Sequence, residues 1–208
     1  GSGRCAQYHQ WAPLPVPGFK GVYTPKSFSA AGVARGMLPW NPRLPLVLAA
    51  LALVIILTGG WVRIADAGES CPDWPACFGG YHFDVPPEEQ QAWWTDHPGE
   101  ADRRWLDDPD FAYTTDQIFS EWLHRLLVGL IALPLLWSHF AVWQRRAALP
   151  GATEAHLHAT ALLVMQAATG AITVGFDNAP WSVALHLLLA LAFVTALARV
   201  ALLAQLAA

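Results

Sequence analysis

Four stretches of this chain are too long and too apolar to be solvated by water. Leu44–Val62 runs nineteen residues without an ionisable side chain. Leu126–Trp143 adds eighteen, extended at its start by Trp122, Leu123, His124 and Arg125. His156–Phe176 contains no Asp, Glu, Lys or Arg, and Trp181–Ala198 follows after a four-residue turn with Asn178 and Pro180. A helix rises about 1.5 Å per residue, so about 20 apolar residues cross a bilayer. The stretches are rich in Leu, Ala and Val and lack the alternation of strands, so each reads as a helix. The expected fold is an all-α integral membrane protein, a four-transmembrane-helix bundle with a long outer loop between helices 1 and 2.

Composition agrees. Hydrophobic residues make up 54% of the 208 and charged residues 13%, about half of the roughly 25% typical of soluble domains. A disordered chain, a nucleic-acid binder and an ordinary soluble enzyme are excluded, and the surrounding partner is membrane lipid. Three Cys are too few for a disulfide-dense scaffold. The charges are segregated. Residues 1–43 hold five basic side chains and no acid, and Arg145 and Arg146 follow the second span. Residues 64–120 hold thirteen acids against Arg103 and Arg104. Lys and Arg stay on the cytoplasmic side, which puts both termini and residues 144–155 inside, and the acidic loop and the 177–180 turn outside. The spans are expected at 44–63, 121–143, 156–176 and 181–208. Ala65-Asp66-Ala67 mimics a signal-peptidase site, but the preceding apolar run exceeds a usual signal core, so it stays a membrane helix. Residues 1–36 are rich in Gly, Pro and Ser and precede Met37, a natural start; this tail, with Cys5 a bystander, is expected to be poorly ordered.

A weak internal echo runs through the spans. Thr58-Gly59-Gly60 closes the first, and Thr169-Gly170-Ala171 lies near the end of the third. Each is followed by an outer segment, a Trp, and a helix with a His near its start: His124 in the second span, His186 in the fourth. Those two helices run in the same direction, so the two imidazoles lie at similar depth. Histidines on facing helices can hold a heme iron from both sides, and a polar residue that costs energy in a membrane calls for a reason. The plainer alternative is that each His merely satisfies a hydrogen bond between helices.

Glu121 stands three residues before His124 and shares its helix face. A carboxylate there can accept protons or stabilise positive charge; equally, it can be an ordinary acid at a helix N-terminus. Arg125 is four residues further on, where it can pair with Glu121. Arg63 and Arg125 at the outer edge suit heme propionates or the membrane interface alike. Cys71 and Cys77 flank Pro72-Asp73-Trp74-Pro75-Ala76 in the outer loop. An oxidising exterior permits a disulfide staple there, and redox chemistry is the other reading. His139, His156 and His158 sit near the inner boundary beside Arg145, Arg146 and Glu154, and are expected to be interfacial. Trp93, Trp94 and Trp105 in the long loop suit an interfacial layer, a cap or a docking surface.

Four segments then carry a resemblance. Thr58-Gly59-Gly60-Trp61-Val62-Arg63, Ser70-Cys71-Pro72-Asp73-Trp74-Pro75-Ala76-Cys77-Phe78-Gly79, Glu121-Trp122-Leu123-His124-Arg125 and Ala184-Leu185-His186-Leu187-Leu188 resemble, in order and spacing, the amino-terminal half of heme A synthases. The likeness covers about residues 38–208. It implies an oxidoreductase that converts the methyl group of heme O to the formyl group of heme A, for use in terminal oxidases. It further implies that His124 and His186 bracket the substrate heme, that Glu121 takes part in catalysis, and that Cys71 and Cys77 form the exterior cysteine pair. Members commonly have eight spans with a heme b in the second half. A chain with four is therefore expected to be either a fragment lacking that half or a half-size member acting as a homo-oligomer. Heme O synthase and an electron acceptor are the implied partners, and a bacterial or archaeal plasma membrane the implied location. Two other readings stay open: a bis-His cytochrome b-like carrier, which would leave its heme unchanged, and a quinone-linked thiol oxidase, in which the cysteines would act and the histidines would not.

Overall fold

The computed structural model describes residues 38–99 and 101–206; the tail expected to be disordered, with Cys5 and Met37, lies outside the described residues. The described chain is helical: α1 (Leu44–Ile64), α2 (Pro87–Asp96), α3 (Arg103–Asp107), α4 (Thr115–Trp143), α5 (Pro150–Gly175) and α6 (Pro180–Leu206). α1, α4, α5 and α6 are long and apolar enough to cross a membrane, and they form the expected four-helix bundle.

Two helix starts lie earlier than apolarity alone indicates. α4 begins six residues before position 121, because Thr114 and Gln117 form a capping box: the Gln117 amide N–H donates to Thr114 Oγ1 (3.4 Å) and the Thr114 amide N–H to Gln117 Oε1 (3.0 Å). α5 begins at Pro150, six residues before position 156. Proline suits a first turn, where its missing N–H would have no partner anyway. Between α5 and α6 the chain reverses through Asp177 and Asn178, both in the left-handed region (φ 50° and 51°), which short polar side chains tolerate best after glycine.

Each membrane helix packs on two neighbours. α1 and α5 both contact α4 and α6, whereas α4 and α6 face each other across the bundle without backbone contact, as do α1 and α5. The apolar core joins Leu48, Ala49 and Ala52 of α1 to Ile131 and Leu135 of α4, Ala155 and Ala159 of α5, and Phe193, Leu197 and Val200 of α6. These residues lie toward the 144–155 end. The opposite half of the bundle holds polar side chains.

Residues 65–114 are not a plain acidic loop. They fold over the end of the bundle where α1 stops and α4 starts, around their own core: Cys71, Cys77, Phe78, Val85, Trp94 and Tyr113, closed against Ile118 of α4. Trp94, at 1% exposure, packs on Phe78, Trp105, Phe111 and Tyr113. Gln90 stitches this lobe internally, donating to the carbonyls of Val85 (2.9 Å) and Tyr113 (3.0 Å) and accepting from the Tyr113 amide (2.9 Å). For Trp94 the interfacial reading is thus replaced by a structural one.

Candidate functional site

His124 projects from α4 against α1. Its Nδ1 lies 3.2 Å from Thr58 Oγ1, and a Cβ added to Gly59 would come within 3.0 Å of the ring's Cε1. His186 projects from α6 against α5 in the same way: Nδ1 is 3.1 Å from Thr169 Oγ1, and a Cβ on Gly170 would approach Cε1 to 3.2 Å. Gly59 stands five residues before the end of α1, and Gly170 five before the end of α5. The echoed Thr-Gly dipeptides are therefore matching slots, the threonine holding one ring nitrogen and the glycine vacating the space for the ring. The helices bearing the two imidazoles are the pair that face each other across the bundle.

Glu121 is buried, and Arg125 Nε donates to its Oε1 at 2.8 Å. Because α4 starts at Thr115, Glu121 lies beyond the first turn, where the helix dipole has largely decayed. The reading as an ordinary N-terminal acid does not hold. A carboxylate this deep requires its cation, and the i, i+4 spacing supplies it from the same helix face.

Arg125 is committed further. Its Nη1 donates to the carbonyls of Asp73 (2.5 Å) and Ala76 (3.3 Å), and its Nη2 to that of Cys71 (2.7 Å). Nearly all of its N–H groups are used, and it pins the cysteine loop onto α4 beside Glu121. That loop is closed by a Cys71–Cys77 disulfide, with both residues buried. Thiol exchange requires access that this packing denies, which argues for the staple and against the thiol-oxidase reading. The sequence offered no local sign of Arg125's carbonyl partners, which lie 49 to 54 positions away.

Arg63 is exposed at the end of α1 and makes no ion pair among the described residues. It shares a cleft of about 210 Å³ with Asp66, Glu69, Asp102, Arg103, Arg104, Asp177 and Asn178. In that cleft Arg104 pairs with Asp66 (2.9 Å), Glu69 (3.3 Å) and Asp102 (3.3 Å), and Asn178 Nδ2 donates to Glu69 Oε1 (3.1 Å). Burial pushes the Glu69 carboxyl above its ordinary value; Asp102 adds to that shift and Arg104 opposes it.

The histidines near the 144–155 end separate. His156, expected at the interface, is 1% exposed, and both of its ring nitrogens have partners, Ser138 Oγ (2.8 Å) and the Ala152 carbonyl (2.9 Å). It is a satisfied core histidine. His139 is half-buried, with Thr160 Oγ1 3.1 Å from its Nδ1, and His158 is exposed.

Among the described residues no three His, Cys, Asp or Glu side chains converge as a set for a bare metal ion. Two imidazoles on opposed helices, each seated against a glycine, fit instead an iron whose equatorial ligands are already supplied, as in a porphyrin. Residues 42–208 match the family model described as cytochrome oxidase assembly protein. The heme A synthase of Shewanella oneidensis is 32% identical over 157 residues, which cover 73% of this chain and 41% of that protein. The chain thus spans less than half the length of this curated relative. No solved structure matches it.

Proposed function

Since the chain belongs to the COX15-CtaA family of cytochrome oxidase assembly proteins, and is a multi-pass membrane protein, we propose that it acts in heme A biosynthesis as a heme A synthase-like oxidoreductase. In this reading it converts the methyl group of heme O to the formyl group of heme A. The observation that carries it is the pair of equivalent imidazole slots on α4 and α6. His124 and His186 would hold the iron of the substrate heme, which would supply redox chemistry next to the methyl carbon. Glu121, on the His124 face, receives protons released as that carbon is oxidised, or stabilises positive charge on the macrocycle. Arg125 holds Glu121 in place, and Arg63 is the cation left for a propionate. The formyl oxygen comes from water, and the electrons pass to an acceptor outside this chain, by way of a second four-helix half or a second copy. Both termini face the cytoplasm in this arrangement, because the basic flanks do.

The test is to co-express the chain with a heme O supply, purify it in detergent and weigh the extracted heme. Heme A or its hydroxylated intermediate is expected, absent in Glu121→Gln while heme O remains bound. Unmodified heme O from the wild type would instead support the cytochrome b-like carrier, and no heme at all would remove both readings.

A further inference from the structure

The two slots treat their histidines alike at Nδ1 and differently at Nε2. Thr58 Oγ1 lies 2.9 Å from the Ile55 carbonyl, and Thr169 Oγ1 lies 3.0 Å from that of Met165. A hydroxyl has one hydrogen, and a carbonyl can only accept it. With that hydrogen directed to the threonine's own helix, Nδ1–H is the donor to Oγ1, and Nε2 is left with its lone pair. Both imidazoles are thereby held in the tautomer that ligates iron through Nε2.

At His186 that lone pair is taken. Gln166, one turn before Thr169 on α5, donates from its amide Nε2 to His186 Nε2 at 3.2 Å. The Gln166 Oε1 is buried and has no partner, so its head group is held by this bond alone. Among the described residues no hydrogen bond reaches His124 Nε2. An amide hydrogen and an iron cannot share one lone pair.

We propose that Gln166 is a positioning residue that shields His186 until heme arrives, so that His124 is the anchoring ligand and His186 the displaceable one. The inference rests on the heme reading above. A displaceable second ligand suits a protein that must release its heme as product, since the iron leaves in two steps and the amide recaptures the freed imidazole.

Hemin titrated into the detergent-purified full chain tests this through affinity and low-spin absorption, with no turnover involved. Gln166→Leu is expected to bind hemin about two- to tenfold more tightly with an unchanged low-spin spectrum, that being the range of one neutral hydrogen bond. Gln166→Met, which keeps the side-chain length without the amide, should match it. His124→Ala should lose more affinity than His186→Ala. Unchanged or weaker binding in both Gln166 variants, or equal losses in the two histidine variants, would overturn the proposal while leaving bis-His binding intact. A well-folded wild type that takes up no hemin would overturn the heme reading, and this inference with it.

Discussion

The His124 and His186 slots are built from the same parts and set in different surroundings. Each has a Thr-Gly pair near the end of one helix receiving an imidazole from the next. Beside His124 stand Glu121, Arg125 and the disulfide loop that Arg125 pins. Beside His186 there is a lone amide. On the heme reading proposed above, the shared parts would prepare two ligating nitrogens, and the unshared parts would assign proton chemistry to the α4 side and exchange to the α6 side.

The strongest way to break this comparison is at Arg125. Removing its guanidinium leaves a buried carboxylate and three carbonyls without their partner, so Arg125→Ala should destabilise the protein by about 3–5 kcal/mol, read by thermal unfolding in detergent. Arg125→Lys should recover little of that, because an ammonium cannot span the same set of acceptors. If Arg125→Ala unfolds like the wild type, the α4 side has no special clamp. Next come the threonines. Thr58→Val and Thr169→Val free Nδ1 and should each weaken hemin binding about 10- to 100-fold, the usual cost of losing a ligand's supporting hydrogen bond. Thr→Ser at either site should restore most of it, and a large difference between the two sites would show that the slots are not equivalent.

The glycines sharpen the comparison further. Gly59→Ala must push His124 aside from 3.0 Å, and Gly170→Ala must push His186 from 3.2 Å. Each should cost about 1–3 kcal/mol, the range for overpacking, with Gly59 the costlier. Gly60→Ala is the control: a Cβ there meets nothing within 4 Å, and the helix should gain up to about 1 kcal/mol.

The smallest effect is expected at Glu69, which links the 65–114 lobe to the α5–α6 turn through Asn178. Its folded-state pKa is raised, so the folded state holds the proton more tightly than the unfolded state. That contribution is most favourable below the ordinary carboxylate value and is lost as pH rises through the raised one. Hydrogen exchange of residues 65–114 should quicken over that interval in the wild type and less so in Glu69→Gln. A Glu69→Gln lobe with the same pH dependence would remove Glu69 from the account.

Much of the site was legible because its signals are local. Glu121, His124 and Arg125 lie within two turns of one helix, and the Thr-Gly echo is visible as text. The start of α4 was also written in the sequence, as Thr114-x-x-Gln117, but a search for apolar runs passes over a polar capping box. His156 was misread because nothing near it in sequence announces Ser138, eighteen positions away. The partners of Arg125 were not legible because a charge at a membrane edge has many possible ones, and those it has are backbone carbonyls of a distant loop.

The sequence by itself determined four membrane helices, since uninterrupted apolar runs of that length have no other stable solution in water or lipid. It also determined which residues are costly enough in a membrane to need a purpose. Only the tertiary structure decided how those residues are used: which carbonyls consume Arg125, which glycine makes room for which imidazole, and which ring nitrogen Gln166 covers. Hydrophobicity is additive along the chain and can be read from it. Hydrogen-bond partnership depends on ångström-scale geometry between segments, which exists only once the helices have packed.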